Sequence, residues 1–302
     1  MQMMKRMQEM RRYIKETQPL IHCITNPISI HDCANVILAA GARPIMAEHP
    51  EEVEEITAVS SALMLNLGNI TDARMASMQI SIREANRRNI PVMIDLVGVT
   101  CSTLRRRFAE KLLSEGKFTV IKGNISEILA VASLPFHGTG IDAGEEDAVS
   151  EENERQRCEA AKNLAGQVGC TVLATGKTDL VASENHAFLV SNGDSALSGI
   201  TGTGCMVGAL TTAYLPAVFF SSAAVPATPA PVTATSFPEG SDGSDFQDAD
   251  LAALLGVVTM GIAGERAAEI SRGPGSFQAA LLDEIFCLSD EELARKAKIR
   301  MM

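Results

Sequence analysis

The amino-acid sequence predicts a three-layer α/β sandwich, a mostly parallel central sheet with helices on both faces, and three observations carry that expectation. Short β-branched or aliphatic runs alternate with longer amphipathic ones along most of the chain, as strands do when crossover helices bury them on both sides. Hydrophobic residues make up 46% of the 302 positions, enough for a sizeable core. Apolar strand-length runs end on Asp95 and Thr175, polar groups placed where open α/β sheets collect ligands, beyond the carboxyl ends of strands.

The elements follow in order. Residues 1–16 mix charge with methionine, lack the continuous apolar stretch of a secretory signal, and read as an amphipathic helix. Apolar runs at 20–25, 44–47, 62–67, 91–95 and 119–122 have strand length. Each is followed by helical periodicity, at 30–40, 50–59, 71–88, 102–114 and 125–132. Residues 134–150 are rich in Gly and Asp and read as a surface loop. A helix at 151–168 leads into strands at 170–175 and 187–191, after which the pattern turns helical at 203–215, 249–270, 276–286 and 290–297. Between two of these helices, residues 221–248 are dominated by Ala, Pro, Thr and Ser, then by Gly, Ser and Asp. Such a composition buries too little apolar area to offset its ordering entropy. It reads as a flexible insertion within one domain spanning 1–302.

Composition excludes several classes of function. Acidic residues outnumber basic ones 37 to 26, so the chain repels polyanions, and nucleic acid is a poor partner. Seven cysteines form no CxxC pair and are not accompanied by a His or Cys at the short spacing zinc geometry needs, which argues against a zinc site and for reduced thiols in a cytoplasm. Residues 195–238 carry no charged side chain, yet only about 16 of them, at 205–220, are densely apolar. A membrane span needs roughly 20, so a buried core helix is expected there. The five histidines include no helical i, i+4 pair for a metal and read as structural.

Four stretches carry chemistry. Gly199-Ile200-Thr201-Gly202-Thr203-Gly204-Cys205 runs straight into an apolar helix. Glycines there let backbone N–H groups converge on a phosphate beside the positive end of the helix dipole, and Cys205 would sit in the same field. The stretch also reads as a Gly-rich turn with a small buried thiol. Gly202-x-Gly204-x-x-x-Gly208 fails as a dinucleotide loop because no acidic residue lies about 20 positions on. Thr175-Gly176-Lys177-Thr178 resembles the end of a P-loop but has Thr171 where Gly is required. Thr175 reads either as a ligand group at a strand end or as a turn residue. Asp95 and Glu127 pair two carboxylates at the sheet edge, as Mg²⁺ needs when phosphate oxygens complete its shell. Lys122 supplies a point charge for phosphate, while Asn124 or Ser126 also reads as a helix N-cap.

In order, these stretches match a known family. Pro19-Leu20-Ile21-His22-Cys23-Ile24-Thr25-Asn26, Ala34-Asn35, Ala39-Ala40-Gly41-Ala42-Arg43-Pro44-Ile45-Met46-Ala47, Asp95-Leu96-Val97-Gly98-Val99, Lys122-Gly123-Asn124-Ile125-Ser126-Glu127, Thr175-Gly176, Gly202-Thr203-Gly204-Cys205 and Gly273-Pro274-Gly275-Ser276-Phe277 closely resemble the signatures of hydroxyethylthiazole kinases. The resemblance implies a ribokinase-like fold, MgATP as phosphoryl donor, and the primary alcohol of 4-methyl-5-(2-hydroxyethyl)thiazole as acceptor. It further implies a homotrimer with thiazole sites at subunit contacts. By motif position, Asn26 and Met46 would line the thiazole pocket with Gly202 beside the alcohol. Lys122 and Thr175 would bind ATP, Asp95 and Glu127 would serve Mg²⁺ and the phosphates, and Cys205 would be the catalytic base. The chain departs from the family pattern at Leu96, usually Pro, at Thr100-Cys101, usually Gly-Ala, and at Arg43, usually a small residue.

Overall fold

Every strand expected between residues 20 and 191 forms in the computed structural model, which describes residues 2–132, 151–219 and 247–302. The chain runs α1 (Gln2–Thr17), β1 (Leu20–Ile24), α2 (Ile30–Ala40), β2 (Arg43–Ile45), α3 (Val53–Ala58), β3 (Ala62–Asn66), α4 (Asp72–Arg87), β4 (Val92–Asp95), α5 (Thr103–Glu115), β5 (Val120–Asn124) and α6 (Ile125–Ala132). It continues with α7 (Glu151–Val168), β6 (Thr171–Thr175), β7 (Asp179–Ala182), β8 (Ala187–Val190), α8 (Thr203–Tyr214), α9 (Asp248–Ile270), α10 (Pro274–Cys287), α11 (Asp290–Lys296) and β9 (Ile299–Met301).

The strands make one sheet in the order β2-β1-β3-β4-β5-β6-β7-β8-β9. All neighbours from β2 to β6 are parallel, and the last three pairings are antiparallel. β7 and β9 had no strand signature of their own. β7 follows the turn after Thr175 and folds back on β6, pairing Leu173 with Val181. β9 is three residues long, and its order comes from pairing with β8, where Leu189 faces Arg300.

The central strands are buried on both faces, so each reads as a continuous apolar run, as Ala62-Leu63-Met64-Leu65 does. One face is covered by α1, α2, α8, α9 and α10, whose apolar residues share a core. The other is covered by α4, α5 and α7 with a second core. Helix periodicity decides which side chains enter: α1 buries Met7, Met10 and Ile14, and α5 buries Phe108, Ala109 and Leu112. Each of the larger ones contributes about 1.5–3 kcal/mol by leaving water. Ser102 and Thr71 cap the helices they precede by accepting the backbone N–H of Arg105 and Arg74.

α9 is apolar on all sides and, at 23 residues, long enough to cross a membrane, but 83% of its apolar window is buried within the protein. It is the central helix of its layer, packed on α8 and α10. The uncharged stretch that begins at residue 195 likewise yields the buried helix α8. The expected loop at 134–150 and residues 221–246 of the expected insertion lie outside the described residues. The far end of that insertion is corrected: Asp248 is the first residue of α9, and Arg6 donates two hydrogen bonds to its carboxylate, at 3.1 and 2.7 Å. That ion pair ties the start of α9 to α1.

Candidate active site

The chain order of the sheet reverses between β1 and β3: β2 lies on one side of β1, and all later strands lie on the other. The crevice beyond the carboxyl ends at such a reversal is where an open α/β sheet binds ligands. Two residues past β1 stands Asn26, and β3 ends on Asn66. Parallel register then carries the edge onward, setting Asn66 beside Asp95, Asp95 beside Lys122, and Asn124 beside Thr175. Residues far apart in sequence therefore line one edge.

Their side chains join. Lys122 Nζ donates to Asp95 Oδ2 at 3.0 Å, a buried ion pair in which Asp95 has no exposed surface. Asn66 Nδ2 donates both to Asp95 Oδ2 at 3.1 Å and to Cys205 Sγ at 3.3 Å. Asn26 Nδ2 donates to the same sulfur at 3.4 Å and to Asn66 Oδ1 at 3.1 Å. Burial raises the Asp95 carboxyl above its ordinary range, opposed by the ammonium beside it. Burial alone would lower Lys122, but the Asp95 carboxylate, together with Cys205 and Glu127, more than offsets it, so the net shift is upward and the ammonium stays charged.

Cys205 enters from the first turn of α8, whose N-cap Gly202 has φ +93°. A side chain is strained in that left-handed conformation, and a Cβ there would also press on Ser29 at 3.1 Å. The first turn of a helix leaves N–H groups without helical partners, and this turn is the one that carries Cys205. Lys122 Nζ lies against this turn, 3.4 Å from where a Cβ on Gly204 would be. A cation and a helix N-terminus converge beside the acidic pair, an arrangement that accepts phosphate.

Glu127 closes a second loop. Its Oε1 accepts the Gly98 N–H and its Oε2 the Asn124 N–H, both at 2.7 Å, while Asn124 Oδ1 accepts the Glu127 N–H at 2.8 Å. Asn124 is therefore the N-cap of α6, and Glu127 ties that cap to the turn after Asp95. Gly98 has φ +81°, and the Arg105 guanidinium packs on it so closely that a Cβ would fall 1.9 Å from Nη1. Thr175 donates to Gly123 O at 3.3 Å and leads into the β6–β7 hairpin rather than a helix, which removes the P-loop reading. Met46 follows edge strand β2 and is half-buried. Thr175 and Met46 thus stand at the same edge without joining the hydrogen-bonded cluster.

The model of the hydroxyethylthiazole kinase family matches residues 12–228. A hydroxyethylthiazole kinase 2 of Clostridium botulinum is 44% identical over 291 residues, 96% of this chain and 98% of that protein. The chain belongs to the hydroxyethylthiazole kinase family. A solved structure of a hydroxyethylthiazole kinase protein from Pyrococcus horikoshii is similar to this kinase with a TM-score of 0.78 and 30% identity, each chain covered to 99%. A ribokinase-like superfamily protein of Enterococcus faecalis, at 10% identity and a TM-score of 0.51 over 91% of this chain, shares the fold.

Asn66 and Asp179 were not singled out from the sequence, and His22, expected to be structural, is so. Asn66 ends an apolar run as Asp95 and Thr175 do, and the same criterion points to it. His22 looks like any residue of an apolar strand, yet it is fully buried. Its Nδ1 meets Thr57 Oγ1 and its Nε2 meets Ala47 O, both at 2.9 Å. Burial lowers its pKa, so the ring is neutral; Nε2–H donates to the carbonyl next to Met46 and Nδ1 accepts from Thr57. Asp179 gave no sequence signal; its carboxyl accepts the Gly176 N–H at 3.0 Å and holds the turn after Thr175. Two of the departures from the family pattern are accommodated: Leu96 is buried, and Arg43 is exposed and donates to Gln18 O at 2.8 Å.

Proposed function

We propose that this kinase transfers the γ-phosphoryl group of MgATP to the primary hydroxyl of hydroxyethylthiazole, with Cys205 as general base. The observation that carries the reading is the junction of Cys205, Asn26 and the Asp95–Lys122 pair through one amide, at the sheet edge and the first turn of α8. Phosphoryl transfer needs positioning and charge stabilisation more than covalent help. Lys122, Thr175 and the N–H groups opening α8 hold the triphosphate, and Asn26 and Met46 flank the thiazole with Gly202 beside its alcohol. The hydroxyl oxygen bonds to the γ-phosphorus as the bond to the bridging oxygen breaks. ADP leaves with that electron pair, and Cys205, entering the step as thiolate, takes the hydroxyl proton and becomes the thiol.

Bound Mg²⁺ supplies charge neutralisation on the phosphates. The donor set fits it. A carboxylate offers about four lone-pair sites; Glu127 commits two to N–H donors, and Asp95 commits three, to Lys122, Asn66 and Val97. Glu127, which retains some exposed surface, keeps a free position that would take the ion, Asp95 would act on it through its charge, and Mg²⁺ asks for only one or two carboxylates. We also assign a homotrimer whose subunits complete the thiazole pocket. Supporting this, β2 is the outermost strand beside Met46, and Ile28, next to the Asn26 turn, is 62% exposed. The free cysteines fit a cytoplasmic enzyme.

Release of ADP from MgATP, followed with hydroxyethylthiazole or hydroxymethylpyrimidine as acceptor, tests the assignment: turnover is expected with the first and almost none with the second. The reverse preference overturns the substrate. Cys205→Ala should lower turnover about 10²–10⁴-fold with both affinities little changed, whereas turnover equal to wild type removes the base role and leaves the kinase.

A further inference from the structure

We propose that Asn66 is a positioning residue for the transfer, setting the sulfur of Cys205 in place relative to the Asp95–Lys122 pair; this rests on the reading of Cys205 as base. Asn66 has no exposed surface, and every polar atom of its side chain is used. Oδ1 accepts from the Gly68 backbone N–H at 2.9 Å and from Asn26 Nδ2 at 3.1 Å. A backbone N–H only donates, so the amide cannot be flipped without setting two donors against each other. Nδ2 must therefore face Asp95 Oδ2 and Cys205 Sγ, and its two hydrogens match those two acceptors.

The consequence is geometric. The sulfur belongs to α8, and the carboxylate belongs to β4. Asn66, at the end of β3 between β1 and β4 in the sheet, links them through a single planar group whose other end is held by the backbone. Asn26 adds a second donor to the sulfur from across the crevice. Sγ thus accepts from two amides that are themselves joined, and the Asp95–Lys122 pair shares one of them. Transfer rates depend steeply on such placement, and a displacement of about 1 Å costs on the order of 10²-fold.

The test uses Asn66→Ala and the isosteric Asn66→Asp, each in the wild-type and Cys205→Ala backgrounds, with kcat, both KM values and Tm measured for all. Asn66→Ala should lower kcat about 10–100-fold, the usual loss when a supporting partner of a functional group is removed, with KM for MgATP and hydroxyethylthiazole within about threefold. Asn66→Asp keeps the volume but offers the sulfur no N–H, so it should be as slow as Asn66→Ala. It decides the matter if the alanine variant does not fold. In the Cys205→Ala background the same changes should cost less than about threefold more, because residues acting through one another are not additive. A folded Asn66 variant with kcat near wild type overturns the proposal, as does an equal fold-loss with and without Cys205. Wild-type turnover in Cys205→Ala alone is a different result: it removes the base reading and with it the route through sulfur.

Discussion

Lys122→Met removes the ammonium from a pair in which Asp95 has no exposed surface and the lysine side chain is 5% exposed, 3.0 Å apart. Taking one partner from a buried ion pair strands the other charge, at a cost of about 3–5 kcal/mol. Asp95 would retain the N–H bonds from Asn66 and Val97, which places the expected loss near the lower end, about 3 kcal/mol. At roughly 2–4 °C per kcal/mol for a chain of this size, melting should fall by about 6–12 °C. ADP release should fall to background, because the cation proposed to hold the phosphates is gone. The double variant Lys122→Met/Asp95→Asn leaves no buried charge and should recover most of the lost stability while remaining inactive. Thermal melting without nucleotide, read beside the ADP assay, checks both halves. A single variant melting within about 2 °C of wild type, or a double variant no more stable than the single, would refute the argument from buried charge.

Two further outcomes follow from the loops beside the pair. Gly98→Ala puts a side chain at φ +81° and against Arg105, so it should cost about 1–2 kcal/mol and raise KM for MgATP by disturbing the N–H held by Glu127; unchanged melting and KM would dismiss that strain. Asp179 is pushed from an ordinary 3.8 up to about 7, chiefly by burial. Its folded form keeps a proton that the unfolded chain loses, so the residue subtracts stability as pH rises from about 4 to 7. Asp179→Asn should therefore melt above wild type at pH 8, with the gap closing toward pH 4, and a gap independent of pH would rule out this titration.

Much of the molecule was legible in the linear chain because the responsible physics is local. Strands buried on two faces must be continuously apolar, and helices between them must carry an apolar stripe. The order of elements therefore read out as a three-layer sheet. The glycines before α8 and the polar residues closing β4 and β6 marked the functional edge for the same reason. β9 did not show itself: three residues, two of them exposed, are too few to carry a pattern of their own, and their order comes from the ladder with β8. The end of the insertion was misplaced because Asp248 looks like solvated loop until Arg6, 242 residues away, closes on it.

Within the site the division is sharper. The sequence by itself determined which chemical groups are present, namely an amide, two carboxylates, an ammonium and a thiol, each beside a turn or strand end, and the family motifs told which enzyme they belong to. Only the tertiary structure decided which of them touch. The reversal of strand order between β1 and β3 opens the crevice. Parallel register then sets Asn66, Asp95 and Lys122 side by side, and the packing of α8 across the sheet delivers Cys205 to them. Contacts across 139 or 179 residues leave no periodicity in a sequence, because hydrogen-bonding partners are selected by where the backbone carries them and not by their neighbours along the chain.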